Sequence, residues 1–278
     1  MPRVAVGLEY HGGNFAGWQA QPGLRTVQGV VEAALSRVAA QPVGATCAGR
    51  TDAGVHAVGQ VAHFDTDARR SSRGWVLGTN ANLPLDVSIA WAQEVTERFH
   101  ARHRALSRSY RYLISNRAVR SALREGRAAR VYQRLEVERM NAAAQLLLGE
   151  HDFSAFRAAE CQARTPVRRL EALSVDRHGD WIVISAVANA FLHHMVRNIA
   201  GLLIEVGRGR APPGWAREVL ESRDRRRGAA TAPAEGLYLW GVRYPAEFAL
   251  PGGGEAPWAM IPGLPRLGAL VGFSDVVV

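Results

Sequence analysis

Lysine is absent from this chain of 278 residues, and all 34 basic side chains are arginine. That excludes chemistry needing an amine side chain, such as a Schiff base or the phosphate-gripping lysine of a P-loop. Cysteine is almost absent too. Cys47 and Cys161 are too few for a disulfide framework and have no paired metal-ligand spacing. Both read as small buried or indifferent side chains, and neither reads as a nucleophile. No apolar run is long enough to cross a bilayer, and Met1-Pro2-Arg3 followed by alternating Val4, Val6 and Leu8 reads as a strand, not a signal peptide. A cytoplasmic protein with no membrane attachment is the expectation.

What is present is ordinary for a globular chain: 47% hydrophobic and 21% charged residues, at a length that allows one large domain or two small ones. The net charge is +9. Arginine offers a planar fork that grips phosphate oxygens through paired hydrogen bonds, so a polyanionic partner is compatible with this balance. High arginine also follows from genomic base composition, so charge alone does not establish nucleic-acid binding.

Arg3 to Tyr10 alternates as a strand and is followed by a glycine-rich turn, His11 to Gly17. Thr26 is placed to cap a helix in which Val27, Val30, Val31, Ala34, Leu35 and Val38 keep helical spacing. Gln60 to Phe64 is a further strand, and the arginine-serine stretch Arg69 to Arg73 precedes another helix. Val87 to Trp91 and Ser109 to Ile114 have strand composition. Beyond them, Val137 to Leu148 reads as a helix, Trp181 to Val187 as a strand, Phe191 to Val206 as a helix and Leu237 to Tyr244 as a strand. Strands and helices mix in both halves, which gives an α+β protein with an N-terminal half at 1–115, an arginine-rich connection at 116–130, a C-terminal half at 131–246 and a Gly/Pro-rich extension at 247–278. In that extension Trp258, Ile261 and Leu264 offer apolar side chains for surface docking.

The densest chemical signal is Gly49-Arg50-Thr51-Asp52-Ala53-Gly54-Val55-His56. Glycines flank a cation, a hydroxyl and a carboxylate in a segment too irregular for a regular helix or strand, and such loops on rigid scaffolds concentrate catalytic groups. Composition alone leaves a simple Asp-containing turn equally open.

This block, continuing through Ala57, Gly59-Gln60-Val61 and His63-Phe64, resembles the catalytic motif of the tRNA pseudouridine synthase A family. The resemblance extends in order through Gly17-Trp18-Gln19-Ala20-Gln21, Thr26-Val27-Gln28, Asn82-Leu83-Pro84, Phe99-His100-Ala101-Arg102, Tyr110-Arg111-Tyr112, Gly149-Glu150-His151-Asp152-Phe153, Phe191-Leu192, Met195-Val196-Arg197, Ala232-Pro233 and Gly236-Leu237-Tyr238-Leu239. It covers residues from about 4 to 245 and not the stretch from Glu247 to Val278. One departure is His11, where the family usually carries an acidic residue. His11 is expected to lie away from the catalytic block.

The resemblance implies two similar mixed α/β halves, ferredoxin/RNP-like, sharing a mostly antiparallel sheet with the active-site cleft between them. It implies isomerisation of uridine to pseudouridine in the anticodon stem-loop of tRNA, at positions 38, 39 and 40, with no cofactor or metal and with Asp52 as nucleophile. A homodimer that binds one tRNA across both subunits follows from the same likeness. Arg197 is then the cation that keeps the carboxylate ionised. Tyr110 stacks on the extruded uridine and offsets part of the few kcal/mol that flipping costs. Arg50 contacts the flipped nucleotide's phosphate or splays its base. Taken alone, Arg197 reads as a surface salt bridge and Tyr110 as strand packing. Arg168-Arg169 and Arg223 through Arg227 are candidate tRNA-backbone contacts or, as readily, solvated surface.

Two rivals are defined by the residues. A metal-dependent hydrolase or nuclease would use Asp52, Asp65 and Asp67, although none of His56, His63, His100, His103, His193 and His194 falls in a helical His-Glu-x-x-His pattern. A non-catalytic tRNA-binding protein of the same fold is the other, and the intact Arg50-Thr51-Asp52 and Tyr110 speak against it.

Overall fold

Strand β1 (Arg3–Tyr10) is buried at every position except Arg3 and Glu9, so the alternation in its sequence does not mark one wet face. It lies inside the sheet and is covered on both sides. Val4, Val6, Leu8 and Tyr10 face the large core, while Ala5 faces a smaller cluster with Ala48, Val61, Phe99, Ala101 and Phe248. This is a computed structural model, and it describes residues 1–251. The extension read at 247–278, including Trp258, Ile261 and Leu264, therefore lies outside the described residues from 252 onward.

The remaining elements follow in order: α1 (Val27–Ala39), β2 (Thr46–Cys47), β3 (His56–Asp65), α2 (Ser72–Asn80), β4 (Val87–Val95), β5 (Ser107–Asn116), β6 (Ala129–Val131), α3 (Val137–Gln145), β7 (Gly149–Asp152), β8 (Val167–His178), β9 (Trp181–Ala188), α4 (Met195–Gly207), α5 (Trp215–Ser222) and β10 (Leu237–Arg243). The strands form one 10-stranded sheet in the order β4-β1-β3-β10-β5-β9-β8-β7, with β2 on β3 and β6 on β5. Pairing is antiparallel except where β10 meets β3 and β6 meets β5. The fold is thus α+β with a mostly antiparallel sheet, as the sequence leads one to expect.

Local signals account for several boundaries. Thr26 accepts a hydrogen bond from the Gly29 amide and caps α1. Ser71 does the same for α2 through Gly74. Helix α3 ends at Gln145, three residues short of Leu148, and Leu146 to Leu148 continue as hydrogen-bonded turns. Helix α4 begins at Met195 and not at Phe191, because His194 is left-handed at φ 62° and cannot continue a right-handed helix backward. Side chains from all five helices, among them Leu35, Trp75, Met140, Ile199 and Val219, share one core with the even-numbered residues Tyr110, Tyr112 and Ile114 of β5 and Ile182 and Ile184 of β9. The opposite face carries Leu113, Trp181, Val183, Tyr238 and Trp240.

The seam between β3 and β10 is narrow: only Tyr238↔His56 and Leu239↔Ala57 are in register. Just beyond, a Cβ on Gly59 would overlap the Trp240 carbonyl oxygen and lie 2.9 Å from the Gly241 Cα. Backbone cannot yield as a flexible side-chain tip does. Gly59→Ala is expected to cost about 1–3 kcal/mol of stability, read as a lower denaturation midpoint in urea.

Candidate active site

Asp52 sits in the loop between β2 and β3, and that loop is held from both sides. The Trp18 amide donates to the Thr51 carbonyl at 2.9 Å, and the Gly54 amide donates to the Phe15 carbonyl at 3.3 Å. Gly17 makes this approach possible. Its φ is +102°, and a Cβ there would lie 2.8 Å from the Thr51 oxygen. Beneath the loop, the Tyr10 hydroxyl and Thr51 Oγ1 share a buried hydrogen bond of 2.8 Å. The Gln60 side-chain amide donates to the Gly49 carbonyl at 2.7 Å and to the Tyr10 oxygen at 3.3 Å. Residues of β1 and β3 thus fix where the Asp52 backbone lies.

The second half of the site comes from the turn into α4. The Arg197 guanidinium donates through Nε to the Ala232 carbonyl at 2.9 Å and through NH1 to Asp52 Oδ2 at 3.4 Å. His193 Nε2 lies 3.1 Å from Asp52 Oδ1, and His194 Nε2 lies 3.3 Å from Oδ2. One carboxylate, 24% exposed, therefore accepts a hydrogen bond from Arg197 and has two imidazole nitrogens within 3.3 Å. Burial lowers the His194 pKa, and the neighbouring His193 and Arg197 lower it further while Asp52 pulls the other way.

Tyr110 is buried on β5 and packs edge-on against Phe191, with ring centroids 5.0 Å apart. Its hydroxyl lies beside Gly49, and burial, with the Asp52 charge nearby, raises its pKa well above the usual phenol value. Arg50 is exposed at the rim of the loop. The structure thus brings Asp52, Tyr110 and Arg197 together with Arg50 at the edge. It adds His193 and His194, which the sequence suggested only as metal ligands. His193 lies outside α4, although the helix read at Phe191 to Val206 had included it. The deciding feature, the left-handed backbone at His194, has no signature in a non-glycine residue.

Other expectations change. His11 does not stand apart from the catalytic block: its ring lies 4.5 Å from that of His56, the last residue of the block. Arg225, in the run from Arg223 to Arg227, is an internal brace that donates to Asn198 Oδ1 and Thr231 Oγ1. Asp65 is bound by Arg3 through two hydrogen bonds of 2.8 Å at the far end of β3 from His56. At about 3.3 Å per residue, β3 keeps it roughly 30 Å from the Asp52 end, so Asp52, Asp65 and Asp67 do not form one site. Cys47 and Cys161 are both buried and free, and burial pushes the Cys47 thiol up to about 12.

A family model described as tRNA pseudouridine synthase matches residues 8–103 and 143–245. The chain is 57% identical over 248 residues to the tRNA pseudouridine synthase A of Methylococcus capsulatus, a match covering 89% of this chain and 92% of that protein. It is 57% identical over 249 residues to the tRNA pseudouridine synthase A of Nitrosococcus oceani, covering 90% and 96%. With that of Legionella pneumophila the identity is 52% over 248 residues, covering 89% and 95%.

His56 gives a test of how the end of the loop is held. Its Nδ1 accepts from the Gly12 amide at 3.0 Å, its ring stacks on Tyr238, and burial lowers its pKa from 6.5 to about 4. An unfolded chain binds this proton more readily than the folded one. The stability contributed by neutral His56 is therefore present above pH 6.5 and lost as pH falls toward 4, on the order of 3 kcal/mol in full. Urea midpoints should decline across that window, and an NMR titration placing the His56 imidazole near pH 6.5 would contradict the assignment.

Proposed function

The chain belongs to the tRNA pseudouridine synthase family and is an isomerase, and from that premise we propose that it converts uridine to pseudouridine in the anticodon stem-loop of tRNA, at positions 38, 39 and 40, with Asp52 as the nucleophile. The observation that carries this reading is the Asp52 carboxylate itself, partly exposed and met by Arg197, His193 and His194. A carboxylate attacks through an oxygen lone pair, and the Arg197 guanidinium, 3.4 Å from Oδ2, holds it in place for that.

In the reaction the bond from uracil N1 to the ribose breaks and a bond from C5 to the same ribose carbon forms. N1 gains a proton and C5 loses one. Atoms and electrons balance within the substrate: the bond that Asp52 forms as nucleophile is broken again before release, and the other residues position the nucleotide and shuttle protons. Arg197, fixed through Nε by the Ala232 carbonyl, keeps one face of the carboxylate oriented. Tyr110 stacks on the extruded base and Arg50 meets its phosphate backbone from the exposed rim. The assembly is a homodimer working in the cytoplasm, with one tRNA touching both subunits. No helix among the described residues is long and apolar enough to cross a membrane.

Purified protein incubated with unmodified tRNA in metal-free buffer is expected to leave carbodiimide stops in the anticodon arm, and Asp52→Ala should leave none. A folded native protein that binds tRNA but makes no pseudouridine would instead support the non-catalytic tRNA-binding reading. Arg197→Lys should lower kcat on the order of a hundredfold, because an ammonium cannot hold the Ala232 carbonyl and Asp52 in the same fork geometry. Single-turnover kinetics measures this.

A further inference from the structure

Successive side chains along an extended backbone point to opposite sides. His193 and His194 do not. The left-handed backbone at His194, φ 62° and ψ 2°, turns both rings to one side, with centroids 4.1 Å apart. A non-glycine residue held there is strained and persists only where its surroundings enforce it. The result is that two imidazole nitrogens face one carboxylate, at 3.1 Å and 3.3 Å. One ligand atom from each of Asp52, His193 and His194 lies within 4.8 Å of the others.

We propose that Asp52, His193 and His194 form a binding site for a divalent transition-metal ion of the Zn2+ class, which occupies the site in place of substrate and inhibits the enzyme. The ion is not a cofactor. Metal–nitrogen and metal–oxygen bonds of about 2.0–2.2 Å at a tetrahedral centre separate the donor atoms by roughly 3.3–3.5 Å. The separation of His193 Nε2 from Oδ1, 3.1 Å, approaches this value, and side-chain rotation brings the three donor atoms, within 4.8 Å of one another, to it. Two imidazoles with a carboxylate suit Zn2+, Co2+ or Ni2+ and not Mg2+ or Ca2+, which prefer oxygen alone. All three side chains are partly exposed, at 37%, 27% and 24%, so an ion reaches them without opening the core. Arg197 lies 3.4 Å from Oδ2 and is itself tied to Ala232. Its charge leaves Oδ1, on the His193 side, as the oxygen facing the ion. It also sets the affinity in the micromolar range, below that of a closed structural site.

On binding, each neutral imidazole keeps its single ring proton at Nδ1 and gives its Nε2 lone pair to the ion, which also takes the carboxylate lone pair that attack requires. Loss of activity on metal binding rests on the function proposed above, whereas the binding itself does not. The direct test uses chelator-treated full-length protein without tRNA: Co2+ titration followed by its visible absorption, with Zn2+ calorimetry alongside. One ion per chain is expected at low micromolar affinity, weakened more than tenfold in both His193→Ala and His194→Ala. On the native protein, long-range 1H–15N NMR should show both Nε2 resonances shift on Zn2+ addition, a readout independent of how the variants fold. Zn2+ should then stop pseudouridine formation, and chelator should restore it. Absence of saturable binding up to about 1 mM, or binding unaltered in both variants, overturns the proposal. Metal binding by a protein that makes no pseudouridine in metal-free buffer would support this site and sink only the activity.

Discussion

The insertion of β10 between β3 and β5 is the constraint on which the rest of the arrangement depends. The last strand of the described chain pairs parallel with β3 and antiparallel with β5. That single element sets the distance between the loop carrying Asp52, which leads into β3, and Tyr110 on β5. It also fixes the segment just before it, where the Ala232 carbonyl restrains Arg197. The contact between Asp52 and Arg197 joins residues 145 positions apart, and neither local propensity nor helix periodicity could create it alone.

Within that frame the site separates positioning from charge. Positioning is neutral and buried: Tyr10, Thr51 and Gln60 hold the loop from below through hydrogen bonds that cannot be traded for water without loss. Charge is partly exposed and converges on one carboxylate. Keeping the two separate lets the loop stay rigid while the carboxylate remains open to a ligand.

Much of this was legible in the sequence because the signals are local. Strands β3, β4, β5, β9 and β10 lie where alternation or β-branched composition places them, and Thr26 caps α1 as its position suggests. The glycine-bracketed Asp52 stood out through composition, and family likeness linked it with Tyr110 and Arg197. Among the features that escaped, which include strand β8 and helix α5, three have plain physical reasons. Burial of β1 on both faces depends on a cover supplied by distant Phe99 and Phe248. The late start of α4 depends on a left-handed residue that tertiary packing enforces. The bracing role of Arg225 depends on partners 27 and 6 residues away, so a run of arginines looks the same whether it faces phosphate or its own fold.

Strand β10 has a further consequence for how the molecule is made. While a ribosome extends the chain from the end of β5 to the start of β10, at about 5–20 residues per second, β3 and β5 wait on the order of ten seconds with unsatisfied ladder edges. Such edges invite pairing with other chains. Nascent protein is therefore exposed to intermolecular association during that interval. A chain released before Leu237 would lack the partner strand that brings the two sides of the site together. Premature termination accordingly yields inactive protein and not a partly active one, so the pool of working molecules is filtered by completeness of synthesis.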